Sequence, residues 1–179
     1  CQFLLRRGDS ARVHELLLAG QVAVGFVGMR MDEKAFRYVP LAEDHLVLAA
    51  ENSPRIQALP EDAGLDLLLH EPVLARETDS GTWLETEKWL RGQGIPPESL
   101  HILARMENPD AIRQAVARGM GVSVLSSLVV AEDAAAGRLR TFELGRGAWR
   151  QLCMVLPKKT QLTATQRAFA EFVRQSVHP

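Results

Sequence analysis

Two apolar runs, each preceded by a short helical segment and a glycine, constrain the fold of this chain most strongly. They are VAVGFVG at 22–28 and VSVL at 122–125. Continuous apolar runs of this kind are typical of strands that are buried on both faces of a parallel sheet. Such strands alternate with helical segments along the chain, which predicts the α/β class with mainly parallel sheets. Predicted strands cover 2–6, 22–28, 38–41, 45–50, 72–76, 101–105, 122–125, 139–144 and 151–156, with helices at 10–20, 83–91, 109–119, 128–136 and 163–177 and a helix start near 59–62.

The two apolar runs belong to two similar segments. In each, a polar turn (8–10 or 106–108) leads through a helix ending in glycine to one of the runs. One interpretation is the same unit used once in each of two lobes; the other is that any βαβ unit gives this pattern. If the repeat is real, a strand, loop and helix of roughly 25–30 residues are missing before the first unit, because the second unit has them.

Composition excludes several classes of protein. Of 179 residues, 46% are hydrophobic and 24% charged, which rules out a disordered chain. No apolar stretch is long enough to cross a membrane, and no signal peptide is recognised. The net charge of -1 makes nucleic-acid binding by this segment alone improbable. With two cysteines and no histidine or cysteine pair at ligand spacing, we expect neither a disulfide framework nor a metal site.

The polar stretch Asp79-Ser80-Gly81-Thr82 has several interpretations. A single Asp-Ser-Gly argues against an aspartic protease, which needs two such carboxylates. The stretch is better read as a helix N-terminus capped by Ser80 or Thr82, with Thr82 and Glu85 fitting a capping box. Free N–H groups and the helix dipole there favour an anionic ligand by up to about 1 kcal/mol. A plain capped helix start without a ligand is the alternative.

Three further local patterns give predictions. Asn108-Pro109-Asp110 combines a good N-cap, a proline at the first helical position and an acid at the positive end of the dipole. The apolar residues of the helix 83–90 predict either an exposed subunit interface or a helix buried among its neighbours. His14 is expected on a helix surface.

Four segments carry a further pattern: RETDSGT at 76–82, ENPDAIRQAVARGMGVSVLS at 107–126, LAGQVAVGFVG at 18–28, and the C-terminal segment 162–173. Together they resemble the effector-binding domain of LysR-type transcriptional regulators. That family typically shows an Arg-Glu-x-x-Ser-Gly-Thr loop, a capped helix with Ala-Ile-Lys and Val, and Gly-x-Gly before a strand ending in Leu-Ser or Leu-Pro. Thr78-Asp79 stand where Pro-Gly is common in the family, and Trp83 where Arg is common.

The resemblance implies an α/β fold with two Rossmann-like lobes joined by two crossovers, like type II periplasmic binding proteins. We expect lobe I to contain 1–51 and 154–179, without its first strand and helix, and lobe II to contain 52–153. A small, anionic effector would bind in the cleft between the lobes. The matching positions are Gly28 and Met29 in lobe I, and Thr78, Ser80, Gly81, Thr82, Glu107 and Asn108 in lobe II.

The resemblance also implies a function. The chain would be the regulatory domain of a cytoplasmic bacterial transcription factor, not an enzyme, and would need no cofactor, metal or membrane. DNA would be contacted only through an N-terminal helix-turn-helix domain that is absent here. Homodimers or tetramers would form through lobe edges, using the strand near 3–6 and helices such as 83–90. A solute-binding protein of a transport system with the same fold is the alternative, and an enzyme on this scaffold is a weaker one.

Overall fold

The computed structural model describes residues 2–145 and 147–177 and divides into two compact units. The first unit contains Cys1–Glu43 and Gln151–Pro179, and the second contains Asp44–Arg150. Two strands pass from one unit to the other along the chain, β2 (Phe36–Glu51) and β7 (Trp149–Pro157). The lobe boundaries expected from the sequence, at 51/52 and 153/154, lie further along the same two strands.

The first unit is built from α1 (Ser10–Leu18), β1 (Gly25–Val27), α7 (Ala164–Val177) and parts of β2 and β7. Helix α1 begins where the side chain of Asp9 accepts a hydrogen bond from the Arg12 amide. Strand β1 pairs antiparallel with β7, from Gly25↔Val155 to Val27↔Cys153. The apolar face of α1 packs on the core that these strands form. The buried thiol of Cys153 lies in this core.

The strand predicted at residues 2–6 is wrong. Residues 2–9 form no regular secondary structure, and residues 2–8 are exposed. A strand exists only when its backbone groups pair with a neighbour, and no strand partner for this segment is found among the described residues.

The second unit contains most of the elements. After the short helix α2 (Pro54–Gln57) come α3 (Gly64–His70), β3 (Val73–Arg76), α4 (Gly81–Gly92), a 3₁₀ turn (Pro97–Ser99), β4 (Ile102–Met106), α5 (Pro109–Ala117), β5 (Ser123–Ser126), α6 (Ser127–Ala135) and β6 (Leu139–Glu143). The helix predicted to start near 59–62 begins instead at Gly64, because Pro60–Ala63 form a turn closed by the Ala63 amide and the Pro60 carbonyl.

The second unit has a parallel two-stranded sheet, β3–β4, and contributes antiparallel strands to a separate five-stranded sheet. β3 runs parallel to β4 from Val73↔Ile102 to Arg76↔Met106, and a parallel bridge joins Val73 to Val122. β5 and β6, however, each pair antiparallel with β2. The prediction of mainly parallel sheets is therefore wrong for the strands that pair with β2 and β7. Apolar runs report burial but not strand direction, so this detail was not available from the pattern.

Strand β2 is one continuous strand of 16 residues, whereas two strands, at 38–41 and 45–50, were predicted. The polar residues Glu43 and Asp44 suggested a break. The structure accommodates the buried carboxylate of Asp44 within the strand because Ser126 and Arg150 both donate hydrogen bonds to it. Two apolar clusters, around Leu48 and Leu68 on one side and Leu74 and Ile112 on the other, form the core of this unit.

Candidate functional site

The loop between β3 and α4 places the predicted effector residues at the start of a helix. Thr78 and Asp79 are exposed, and the three residues that follow are buried. Ser80 is the N-cap of α4, since its extended backbone precedes the helix and its side chain accepts a hydrogen bond from the Trp83 amide at 3.3 Å. The helix N-terminus predicted here is confirmed, with Ser80 as its cap.

Thr82 does not form the predicted capping box with Glu85. Its hydroxyl oxygen accepts a hydrogen bond at 3.0 Å from Nη1 of Arg150, and Glu85 instead pairs with Lys88. The capping role is already filled by Ser80, which leaves the Thr82 hydroxyl for this long-range contact.

The first backbone amides of α4 are available to a ligand. The N–H groups of Gly81 and Thr82 have no acceptor within the helix, as is general for the first turn. Among residues 2–145 and 147–177 no other acceptor reaches them, although both residues are buried. Buried amides without a partner are costly, so this helix start is suited to a carboxylate, phosphate or phosphonate oxygen.

A second loop lies beside the first. Because β3 and β4 are parallel and Arg76 is in register with Met106, the loops that follow these strands leave the sheet at the same edge. Glu107 and Asn108 are exposed in the second loop. The side-chain oxygen of Asn108 accepts a hydrogen bond from the Asp110 amide at 2.9 Å, which confirms Asn108 as the N-cap of α5.

The structure adds three residues that were not predicted from the sequence, Asp44, Ser126 and Arg150. Asp44, whose side chain is fully buried, accepts a hydrogen bond from Nε of Arg150 at 2.8 Å through Oδ2 and from the hydroxyl of Ser126 at 2.7 Å through Oδ1. Arg150 in turn contacts Thr82. Asp44 and Arg150 are the first and last residues of the second unit and are 106 positions apart in sequence. The signal available in the sequence was a charged residue directly before each of two predicted strands, Asp44 before 45–50 and Arg150 before 151–156.

Trp83 and its surroundings resolve two alternatives. Trp83 is 4% exposed, its indole N–H donates to Glu87 at 2.9 Å, and the guanidinium of Arg105 lies 4.3 Å from its ring centroid. Trp89 and Leu90 are also buried. Helix α4 is thus buried among its neighbours in the second unit, and the exposed apolar patch predicted as an alternative is absent from this described helix.

Arg76 and Glu77, at the start of the loop, bind each other. Nε and Nη2 of Arg76 donate to the two carboxylate oxygens of Glu77 at 2.8 and 2.6 Å, and both side chains are largely buried. This two-point contact satisfies the Arg76 charge locally. Arg76 is therefore occupied by its neighbour and is a weaker candidate than Arg150 for holding a ligand.

In the first unit, Gly28 and Met29 directly follow β1 and are half-buried. Their role as effector contacts remains a prediction.

His14 is a correction in the same unit, since it is 4% exposed and not on the helix surface. Its Nδ1 lies 2.5 Å from the Ser10 carbonyl, which only accepts, so Nδ1 carries a hydrogen. Its Nε2 and the Tyr38 hydroxyl form a hydrogen bond of 2.6 Å. Tyr38 also accepts from the Met31 amide, and burial raises the pKa of its phenol.

Among residues 2–145 and 147–177 no group of three or more histidine, cysteine, aspartate or glutamate side chains could hold a metal ion. None of the helices in this part of the chain has the length and apolar character needed to cross a membrane.

Comparisons with known proteins agree with this architecture. A family model described as the LysR substrate binding domain matches residues 1–177. The regulatory domain of CcmR from Synechocystis PCC6803, solved in complex with 2-PG, has a TM-score of 0.80 and 20% identity, covering 95% of this chain and 80% of that one. The effector binding domain of QuiR, in complex with shikimate, has a TM-score of 0.78 and 16% identity, covering 95% and 78%. These likenesses confirm the fold expected from the sequence.

Two curated relatives are much longer than this chain. The regulator CysL of Bacillus subtilis is 29% identical over 126 residues, which are 70% of this chain and 41% of CysL. A protein named as a phosphonates import ATP-binding protein, PhnC of Anaeromyxobacter dehalogenans, is 32% identical over 176 residues, which are 98% of this chain and 35% of PhnC. The chain therefore spans roughly a third to two fifths of the length of these relatives.

Proposed function

Because the chain belongs to the LysR substrate-binding domain family, in which it forms an effector-binding regulatory domain, we propose that it binds a small anionic metabolite at the start of α4. The parent protein would then be a transcription regulator whose DNA binding responds to that metabolite. The response is a population shift, which requires that the metabolite bind one state of the domain more tightly than another.

The observation that carries this proposal is the pair of backbone amides of Gly81 and Thr82, two buried residues, that lack an acceptor among the described residues. They lie at the positive end of a helix of 12 residues, where an anion gains both hydrogen bonds and a favourable dipole. Asp79 is exposed, so solvent screens its repulsion of an anion.

The other predicted contacts complete the site in this proposal. Thr78, Glu107 and Asn108 lie on two loops at one edge of the β3–β4 sheet and would bind the polar remainder of the effector. Gly28 and Met29, which follow β1 in the first unit, stay predicted effector contacts that rest on the resemblance alone. Names of similar proteins support an anionic ligand, since both shikimate and phosphonates are anions.

The transport alternative is less well supported. The family model and the relatives that carry regulator names favour regulation. PhnC is named for import, but this chain matches about a third of it. We propose that the parent protein contacts DNA through a separate domain, acts in the cytoplasm, does not catalyse a reaction, and assembles as a dimer or tetramer through edges of its units.

A binding screen tests the proposal. The melting temperature of the wild-type domain is measured with each member of a panel of small carboxylates, phosphates and phosphonates at constant ionic strength. The affinity of each compound that raises the melting temperature is then measured by calorimetry. We expect at least one anion to bind, Gly81→Asp to weaken it at least tenfold, and Gly81→Ala, which adds a methyl group without charge, to weaken it less. Equal affinity of wild type and Gly81→Asp for every bound anion would place the site elsewhere.

A further inference from the structure

The effector loop, residues 78–84, contains no basic residue, and Arg76 just before it is bound by Glu77. From Thr78 to Leu84 its only ionisable side chain is Asp79. A positive charge nevertheless reaches the loop from a distant part of the sequence, because the guanidinium of Arg150 in β7 donates to the Thr82 hydroxyl at 3.0 Å. An anion at the amides of Gly81 and Thr82 would therefore lie close to a cation.

Arg150 is held in one orientation from its other side. Asp44 accepts from Nε at 2.8 Å, and its second carboxylate oxygen is fixed by Ser126. The carboxylate thus binds Nε of the guanidinium, while Nη1 contacts Thr82. An arginine immobilised in this way loses little further rotamer entropy when it binds a ligand.

Several donors of Arg150 are unused. A guanidinium has five N–H groups; one is taken by Asp44 and one by Thr82, which leaves three without an acceptor among residues 2–145 and 147–177. The side chain is 14% exposed, so water has limited access to it. Thr82 uses its oxygen as an acceptor in this contact, and its own hydroxyl hydrogen stays available as a donor.

We propose that Arg150 is the specificity-determining residue of the effector loop and binds the carboxylate, phosphate or phosphonate group of the effector through its terminal nitrogens. The planar guanidinium matches two oxygens of such a group at once, and the Thr82 hydroxyl and the amides of α4 bind the same group. Asp44 is a positioning residue that orients Arg150. This inference rests on the proposed function, because it assigns a residue to the same site.

Three variants test it. Arg150→Gln removes the charge, and the double variant Asp44→Asn/Arg150→Gln removes it without leaving an unpaired buried carboxylate, which protects the fold. Arg91→Gln is the matched control, since it removes one positive charge near the opposite end of α4, ten residues or about 15 Å along the helix from Gly81. Circular dichroism verifies that each variant is folded.

Binding is measured by calorimetry with inorganic phosphate and with shikimate, each compared with a neutral partner, trimethyl phosphate or methyl shikimate. We expect wild type and Arg91→Gln to prefer the anion to its neutral partner. In the folded double variant that preference should fall at least tenfold, while affinity for the neutral partner changes less than threefold. A purely structural role for Arg150 would lower both affinities together and would overturn the assignment.

The remaining outcomes are distinguishable. If wild type binds an anion and the double variant binds it within twofold, the inference fails and the proposed function stands. If wild type binds neither probe and no anion of the screening panel, the proposed function and the inference both fail.

Discussion

Removal of the Asp44 carboxylate should destabilise the chain strongly. Asp44→Ala leaves the guanidinium of Arg150 without its counter-ion in a site where that side chain is 14% exposed, and it removes the acceptor of the Ser126 hydroxyl. Loss of one partner of a buried ion pair costs about 3–5 kcal/mol. Because Arg150 keeps some contact with water, we expect the lower end of that range, about 3 kcal/mol of unfolding free energy.

Urea unfolding followed by circular dichroism measures this change. Thermal unfolding gives a second readout. At this chain length each kcal/mol of lost unfolding free energy lowers the melting temperature by roughly 2–4 °C, so Asp44→Ala should melt about 6–12 °C below wild type. Glu98→Ala is the control, because it removes a carboxylate that is 77% exposed and lies 3.9 Å from Arg91. Its unfolding free energy should stay within about 0.5 kcal/mol of wild type.

A double-mutant cycle with Arg150→Ala separates the pair from its surroundings. If the two side chains stabilise each other, the double variant should be more stable than the sum of the single losses predicts, by about 1–3 kcal/mol. A coupling energy near zero, or an Asp44→Ala variant as stable as Glu98→Ala, would refute the reasoning that a buried carboxylate orients Arg150.

Three further changes have expected outcomes. Gly121→Ala should cost about 2 kcal/mol or more in urea unfolding, because the backbone φ is +141° and the new Cβ would lie 2.3 Å from the Pro72 carbonyl oxygen; Gly94→Ala, with φ +75° and nothing within 4 Å, should cost about 1 kcal/mol. Tyr38 has a raised pKa in the folded chain, so its contribution to stability is complete below about pH 10 and is lost as pH rises towards the raised value. In urea unfolding between pH 9 and 11, the free energy of unfolding should therefore decline less for Tyr38→Phe than for wild type. Asn108→Ala should lower the melting temperature, since loss of an N-cap costs about 1 kcal/mol, and Asn108→Asp should restore most of it.

The parts of the fold that depend on local chemistry were predictable. The start of α5 follows from Asn108 and Pro109, and the start of α4 follows from Ser80, because capping requires only residues within one turn. Features that depend on distant partners were not. The segment 2–6 has strand-forming residues but no strand partner within 2–145 and 147–177. Strand β2 continues through Asp44 because residues more than 80 positions away satisfy its carboxylate.

The candidate site shows the same limit. Its loop residues were found from a capping pattern and from a resemblance to a family, and both depend on short stretches of sequence. Arg150 was not found, because the sequence does not show that a residue at the start of the last strand donates a hydrogen bond of 3.0 Å to Thr82. His14 was misplaced for a related reason, since its burial depends on Tyr38, 24 positions away.

Binding of an anion at the start of α4 is tested by NMR, in which the protein is titrated with the anion that binds most tightly in the screen. The amides of Ser80, Gly81 and Thr82 and the side-chain Nε–H of Arg150 are expected to shift most, with saturation at the calorimetric affinity. Shifts confined to residues away from the start of α4, with these four signals unchanged at saturation, would contradict binding at this helix start.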